Sequence, residues 1–417
     1  MCRVASRRLS MSSRCLASLA CNTSRDQEEN KSLINAVVDK NILSVHWPDG
    51  DARFHHVWLR HHCPCHQCLN PTTKQRTIDM ALIPDQVRPQ QVNLTSNGLQ
   101  IIWDDDGHET CYDGSWLKEN AYDGSFVERR QVNGFGTIAD ESEMTLWNSG
   151  ILASKPPQEF SYSDILGNRE EVLRESLNSI FRYGFIFVNE TPTDEESTLK
   201  ICQEIVGPIS ETHEGRFYVL ENKGLCSSDL SYYSNALHGH TDLTFCKDPP
   251  GIQAMHCTHH HGTGGMSLLV DGFRAAKTLY KEDAQAFKIL ASTELRFEST
   301  HHCIECHGTI LELDPFTKEL MRVRWNNSRV HIKLSFDEME RFYQAVRLFG
   351  SIVRREENEL WYKLTPGKVV VMDNRRMMHG RSAVQGARKL MGCYVSYDAY
   401  IGKWMKNRIK HGGRKWP

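Results

Sequence analysis

No apolar run in these 417 residues approaches the roughly 18 that a membrane-spanning helix needs. Charge of one sign is lacking too. Against 52 acidic residues stand 50 basic ones, a net charge of −2, so no global field marks a nucleic-acid or membrane partner. Acidic residues are absent before Asp26, where Arg3, Arg7, Arg8, Arg14 and Arg25 alternate with Ser6, Ser10, Ser12, Ser13 and Ser18. Without an uninterrupted apolar core this is no secretory signal. It predicts a mitochondrial transit peptide over residues 1–25 and a matrix location, with a disordered basic tail as the plain alternative. The 14 cysteines are then expected as thiols and metal ligands rather than disulfides.

What is present is ordinary for a soluble globular chain, with 40% hydrophobic and 24% charged residues. The length suits two domains. Residues 31–125 read as a small β-rich module. Ile42–Trp47 turns at Asp49-Gly50, and Leu99–Trp103 turns between Asp104 and Gly107; each hairpin is followed by a Trp-Leu pair, Trp58-Leu59 and Trp116-Leu117. Between them lie Cys63, Cys65 and Cys68. Three thiols this close cannot easily bridge one another but can face one tetrahedral ion, with His108 as fourth ligand and His66 as its local competitor. A closed structural zinc is expected, because so small a module has little core of its own.

Residues 126–167 read as a linker and 168–417 as a catalytic domain. There, short strands such as Phe185–Val188 and Lys368–Val371 alternate with a few helices, which predicts a mainly β, double-stranded β-helix (jelly-roll) domain with helical insertions. His240-Thr241-Asp242 with His379 supplies two imidazoles and a carboxylate, the set that holds Fe(II) on one face and leaves positions open. An i, i+2 pair on a strand would put His240 and Asp242 on one side. Alone the tripeptide is a chance-level signal. Cys303–His307 has the spacing of a covalent haem site and His256–His261 is histidine-rich; both are expected to be loops.

The segments Asn235–Asp242, Gly262–Gly265 with Leu268–Phe273, Trp325–Asn327 and Asp373–Arg381 resemble the γ-butyrobetaine and trimethyllysine dioxygenase family from about residue 40 to 400. The family consists of Fe(II)- and 2-oxoglutarate-dependent hydroxylases of carnitine biosynthesis. The resemblance implies His240, Asp242 and His379 as iron ligands, and Cys63, Cys65, Cys68 and His108 as zinc ligands. It implies Arg388, with Ser267, as the anchor of 2-oxoglutarate, and ascorbate as the reductant. Its substrates are quaternary ammonium compounds, which aromatic faces hold, and Tyr218, Tyr232 and Tyr394 match cage positions. Glu214 stands where the family has an aromatic wall. Asp229 suits a substrate with an α-ammonium, which with the segments His261–Gly265 and Glu357–Glu359 favours the trimethyllysine branch over the butyrobetaine one; Asn326 would meet the substrate carboxylate, common to both. A catalytically silent zinc-containing interaction protein is the reading from another class, and the complete triad with Arg388 speaks against it. Oligomeric state is left open, a homodimer included.

Overall fold

The computed structural model describes residues 33, 35–126, 144–167, 169–221, 234–315 and 317–412. They fall into two units, 1–129 and 130–417. The expected transit segment lies outside the described residues.

In the first unit, β1 (Asn35–Asp39), β2 (Ile42–Trp47) and β3 (Gly50–His55) form one antiparallel sheet, and β4 (Pro89–Thr95), β5 (Gly98–Trp103) and β6 (Glu109–Asp113) a second. Alternate residues of the middle strands, Leu43, Val45 and Trp47, and Leu99, Ile101 and Trp103, point into one core. Each sheet runs into a six-residue helix, His56–His61 and Gly114–Glu119. The repeated Trp-Leu pairs sit on these helices. Leu59 and Leu117 are fully buried, and the rings of Trp58 and Trp116 stack at 5.7 Å. The two hairpins of the sequence are therefore matched halves, each extended to three strands.

The second unit is built on two sheets. Its early strands are β7 (Phe160–Ser161), β8 (Phe185–Asn189), β9 (Tyr218–Glu221), β10 (Leu237–His240), β11 (Ile252–Gly264) and β12 (Ser267–Asp271). An insertion of three helices, Gly272–Glu282, Ala284–Ser292 and Phe336–Val353, follows. It carries β13 (Leu295–Ser299), β14 (Ile304–Gly308), β15 (Leu311–Leu313), β16 (Leu320–Val323) and β17 (Val330–His331). The chain then returns through β18 (Leu360–Tyr362), β19 (Val369–Asp373), β20 (Met377–Arg381) and β21 (Val384–Val395). The larger sheet runs β7-β8-β19-β11-β21-β9 and the smaller β10-β20-β12-β18.

Strand alternation explains why the larger sheet reads as continuous apolar runs. Phe185, Phe187, Met255, Val370 and Met372 face a core shared with Leu269, Met377 and Met378 of the smaller sheet. Ile186, Val188, Ala254, Val369 and Val371 face the other way, against the helices Glu170–Tyr183, Glu195–Ile205 and Tyr397–Lys410. Both faces are covered, so both are apolar. Gly184 ends the first of these helices at φ 83°, a left-handed cap that glycine adopts without strain.

Three expectations change. Where described, the stretch read as a linker is part of the catalytic unit: it carries helices Ser149–Ser154 and Tyr162–Leu166, and Trp147 is fully buried. The Trp147 indole donates to the carbonyl of Tyr183 (2.6 Å) and its amide to Asp271 (3.0 Å). The histidine-rich stretch is not a loop but part of β11, with His256 buried and His259 and His261 exposed. Cys303 lies exposed in the turn of the β13–β14 hairpin and Cys306 buried on β14, so this stretch is a turn and strand rather than a loop.

A buried ion pair fixes the turn between β19 and β20. Arg376 donates to both oxygens of Asp271 (2.7 and 3.1 Å) and to the carbonyls of Thr145, Phe181 and Arg182. Every charge-bearing end is satisfied, which a buried pair requires.

Candidate active site

His240 ends β10, and in the antiparallel pairing of β10 with β20 it lies directly opposite His379. Opposed residues share a face, so the two rings stand 4.5 Å apart. Asp242 is not on the strand, as the i, i+2 argument had it, but in the turn beyond. Two clamps bend the chain there. Thr241 exchanges hydrogen bonds with the backbone of Trp325 (2.9 and 3.0 Å), and the Asn374 side chain binds both the amide (2.8 Å) and the carbonyl (3.1 Å) of Asp242. The carboxylate thereby meets His240 Nε2 at 3.3 Å and His379 Nε2 at 3.7 Å.

Burial alone would raise the Asp242 carboxyl, but the two imidazoles and the Tyr394 hydroxyl hold it well below the usual range. Burial lowers His379 to about 4, so the ring is neutral near pH 7. His240 Nδ1 lies 2.8 Å from the carbonyl of His238, which makes it the protonated nitrogen and leaves the Nε2 lone pair toward the carboxylate. Two imidazole lone pairs and a carboxylate aimed at one point repel unless a cation joins them. The donor set fits a divalent metal with open positions.

Two residues not anticipated from sequence complete this corner. Gln253 on β11 donates to Asp242 Oδ2 (2.7 Å) and to the Tyr218 hydroxyl (3.0 Å), while Tyr394 donates to the same carboxylate oxygen (2.9 Å). The sequence signal was a lone amide in an otherwise apolar run, Ile252–Met255. Burial and the nearby Asp242 carboxylate raise both tyrosines well above the usual phenol value, so both stay protonated donors. The other is Tyr362, opposite Ser267 in the β12–β18 pairing, with a buried hydroxyl that finds no partner among the described residues.

Arg388 reaches across from the larger sheet. Its Nη2 donates to Ser267 Oγ (3.3 Å), and its buried Nε has no partner among the described residues. Burial lowers Arg388, and lowers the neighbouring Arg381 to about 10 with help from Arg388. A planar donor fork with its Nε unpartnered, beside a second guanidinium and the Tyr362 phenol, fits a carboxylate.

Beside the triad opens a cavity of about 490 Å³, lined among others by Tyr218, Tyr394, Glu214, Trp325 and Asn326. The Tyr218 and Tyr394 rings lie 5.2 Å apart. Asn326 is held by Ser328, whose amide and hydroxyl both donate to its side chain. Asp229 and Tyr232 lie outside the described residues.

In the first unit Cys63, Cys65 and Cys68 surround His108 Nε2 at 3.2, 3.4 and 3.5 Å, while His66 is exposed and apart. Burial pushes the Cys63 thiol up to about 12 and raises Cys68, and Arg60 donates to the Cys68 sulfur. The ligand set is that of a closed tetrahedral site.

Two sheets around a shared core, with a 2-His-1-carboxylate face and a buried guanidinium, define the site of a non-haem iron, 2-oxoglutarate-dependent oxygenase. The comparisons agree. The taurine catabolism dioxygenase TauD, TfdA family matches residues 150–394, and the N-terminal domain of γ-butyrobetaine hydroxylase-like proteins matches 34–118. Mitochondrial trimethyllysine dioxygenase of Mus musculus is 37% identical over 83% of this chain and 80% of its own length, and that of Homo sapiens 36% over the same shares. The γ-butyrobetaine dioxygenase of a Pseudomonas species is 28% identical over 87% of this chain and 92% of its own. The chain belongs to the TauD/TfdA dioxygenases and, within them, to the trimethyllysine dioxygenase family.

Proposed function

We propose that this protein hydroxylates C3 of N6,N6,N6-trimethyl-L-lysine, the first step of carnitine biosynthesis, using Fe(II), 2-oxoglutarate and O2. His240, Asp242 and His379 hold the iron, which supplies the coupled chemistry: 2-oxoglutarate loses CO2 to give succinate, one oxygen atom entering succinate and the other the substrate C–H bond. Arg388, with Ser267, anchors the distal carboxylate of 2-oxoglutarate as a fork-to-fork pair. Gln253 and Tyr394 hold Asp242 in one orientation by donating to Oδ2.

Tyr218, Tyr394 and Tyr232 offer their faces to the trimethylammonium group, with the Glu214 carboxylate in place of a further aromatic wall. Asp229 receives the α-ammonium and Asn326 the α-carboxylate. The observation that carries the reading is the convergence of triad, buried guanidinium and cavity in one unit. Ascorbate keeps the iron reduced, residues 1–25 direct the chain to the mitochondrial matrix, and Cys63, Cys65, Cys68 and His108 hold a structural zinc.

Succinate release against both trimethylammonium substrates, on protein of measured iron and zinc content, tests this. Trimethyllysine is expected to drive turnover, and His379→Ala to abolish it. Faster turnover with γ-butyrobetaine, or with Asp229→Asn no loss of preference for trimethyllysine, would overturn the substrate assignment.

A further inference from the structure

A second group of metal-type donors lies in the wall of the same cavity, away from the triad. His213 and Glu214 form the tip of a tight turn. The amides of Thr212 and Gly215 each bond the other's carbonyl (3.0 and 2.9 Å), the Glu214 amide donates to the Thr212 hydroxyl (3.2 Å), and Gly215 takes φ 87°. His302 comes from elsewhere, the turn between β13 and β14. Its ring lies 4.0 Å from that of His213, and both pack near Phe245. One ligand atom from each of His213, Glu214 and His302 can be chosen so that all lie within 4.8 Å of one another, the compactness also found in the triad and the Cys/His cluster. All three residues line the cavity.

Imidazoles this close repel when both are protonated. A divalent ion reverses that, drawing in the adjacent carboxylate as well. Two histidines and a glutamate are a set that suits Zn²⁺ and leaves one position open. We propose that His213, Glu214 and His302 form a second transition-metal site, a zinc-type cradle in the substrate cavity through which Zn²⁺ inhibits the enzyme without displacing iron. An ion there adds two positive charges to a cavity that has to admit a cationic substrate, so inhibition competes with the amine and not with the metal at the triad. The binding half of this inference stands apart from the substrate assignment, and only the inhibition half rests on it.

Zinc bound per chain is measured by equilibrium dialysis of iron-loaded, full-length protein at micromolar free Zn²⁺, followed by elemental analysis. Wild type is expected to retain one zinc more than His302→Ala and than His213→Ala, two changes on separate turns, and Asp242→Ala to retain that zinc. Succinate release is then titrated with Zn²⁺ at two iron concentrations. The inhibition midpoint is expected to be insensitive to added iron and to rise about tenfold or more in His302→Ala. Equal zinc content in wild type and both histidine variants would overturn the site. Inhibition that iron fully relieves would assign the effect to the triad instead. A site confirmed by dialysis in a protein that does not turn over trimethyllysine would overturn only the substrate assignment.

Discussion

Gln253 shows how much of this site depends on side chains that orient the triad rather than belong to it. Its amide is almost fully buried and spans Asp242 and Tyr218. Gln253→Ala is expected to weaken iron binding about 10–100-fold while leaving the fold intact, read by iron titration beside a thermal scan. His256 acts on stability instead. Fully buried and bonded to Thr198 (2.8 Å), it is pushed down to about 4 by burial. The unfolded chain therefore binds a proton that the native state refuses between pH 6.5 and 4. The contribution is full above pH 6.5 and falls as pH drops, by on the order of 3 kcal/mol at the acid end. The thermal midpoint of His256→Gln is expected to depend less steeply on pH across that window than wild type. His240, Asp242 and His379 stood out in the sequence as a donor set for a metal, too weak a signal alone, and it took the family resemblance to single them out together with Arg388. Gln253, Asn374 and Tyr362 did not stand out, since an amide or a phenol says nothing until its partner is placed.

At the scale of elements, the site is made by strand pairing, and one glycine shows how close the strands come. Gly392 on β21 lies opposite Tyr218 on β9. A Cβ at 392 would run into the Tyr218 ring and hydroxyl and the carbonyl of Ala254. Gly392→Ala is expected to displace Tyr218, raising KM for the amine and lowering stability by about 1–3 kcal/mol, with iron affinity less affected. Thermal and kinetic measurements on one preparation check both. The strands themselves were legible where both faces are apolar, as in Phe185–Val188. The 13-residue β11 was misread beyond His256 because exposed histidines and glycines mimic a loop. Its pairing with β21, which continues to Gly264 opposite Val384, is recorded in backbone hydrogen bonds that composition does not reveal.

For the whole molecule, the two units have separate cores, one built on Trp47, Phe54 and Trp103 and the other on the two large sheets. The first core is small, and the Cys/His cluster lies at its side. Cys65→Ser removes one of the four proposed zinc ligands and leaves the triad untouched. Zinc content is expected to fall by about one per chain and the lower of two thermal transitions to drop, while the upper stays in place. A single transition moving as a whole would refute that. The order in which the catalytic unit is assembled carries one more consequence. His240 and His379 face each other across β10 and β20, yet the whole insertion of β13 to β17 and three helices lies between them in the chain. A nascent chain that has not reached β20 holds only two of the three triad residues. Such a long closure is slow and rewarded only at its end, so iron uptake is expected to require the folded unit, and a chain truncated before His379 is expected to retain none, read by elemental analysis.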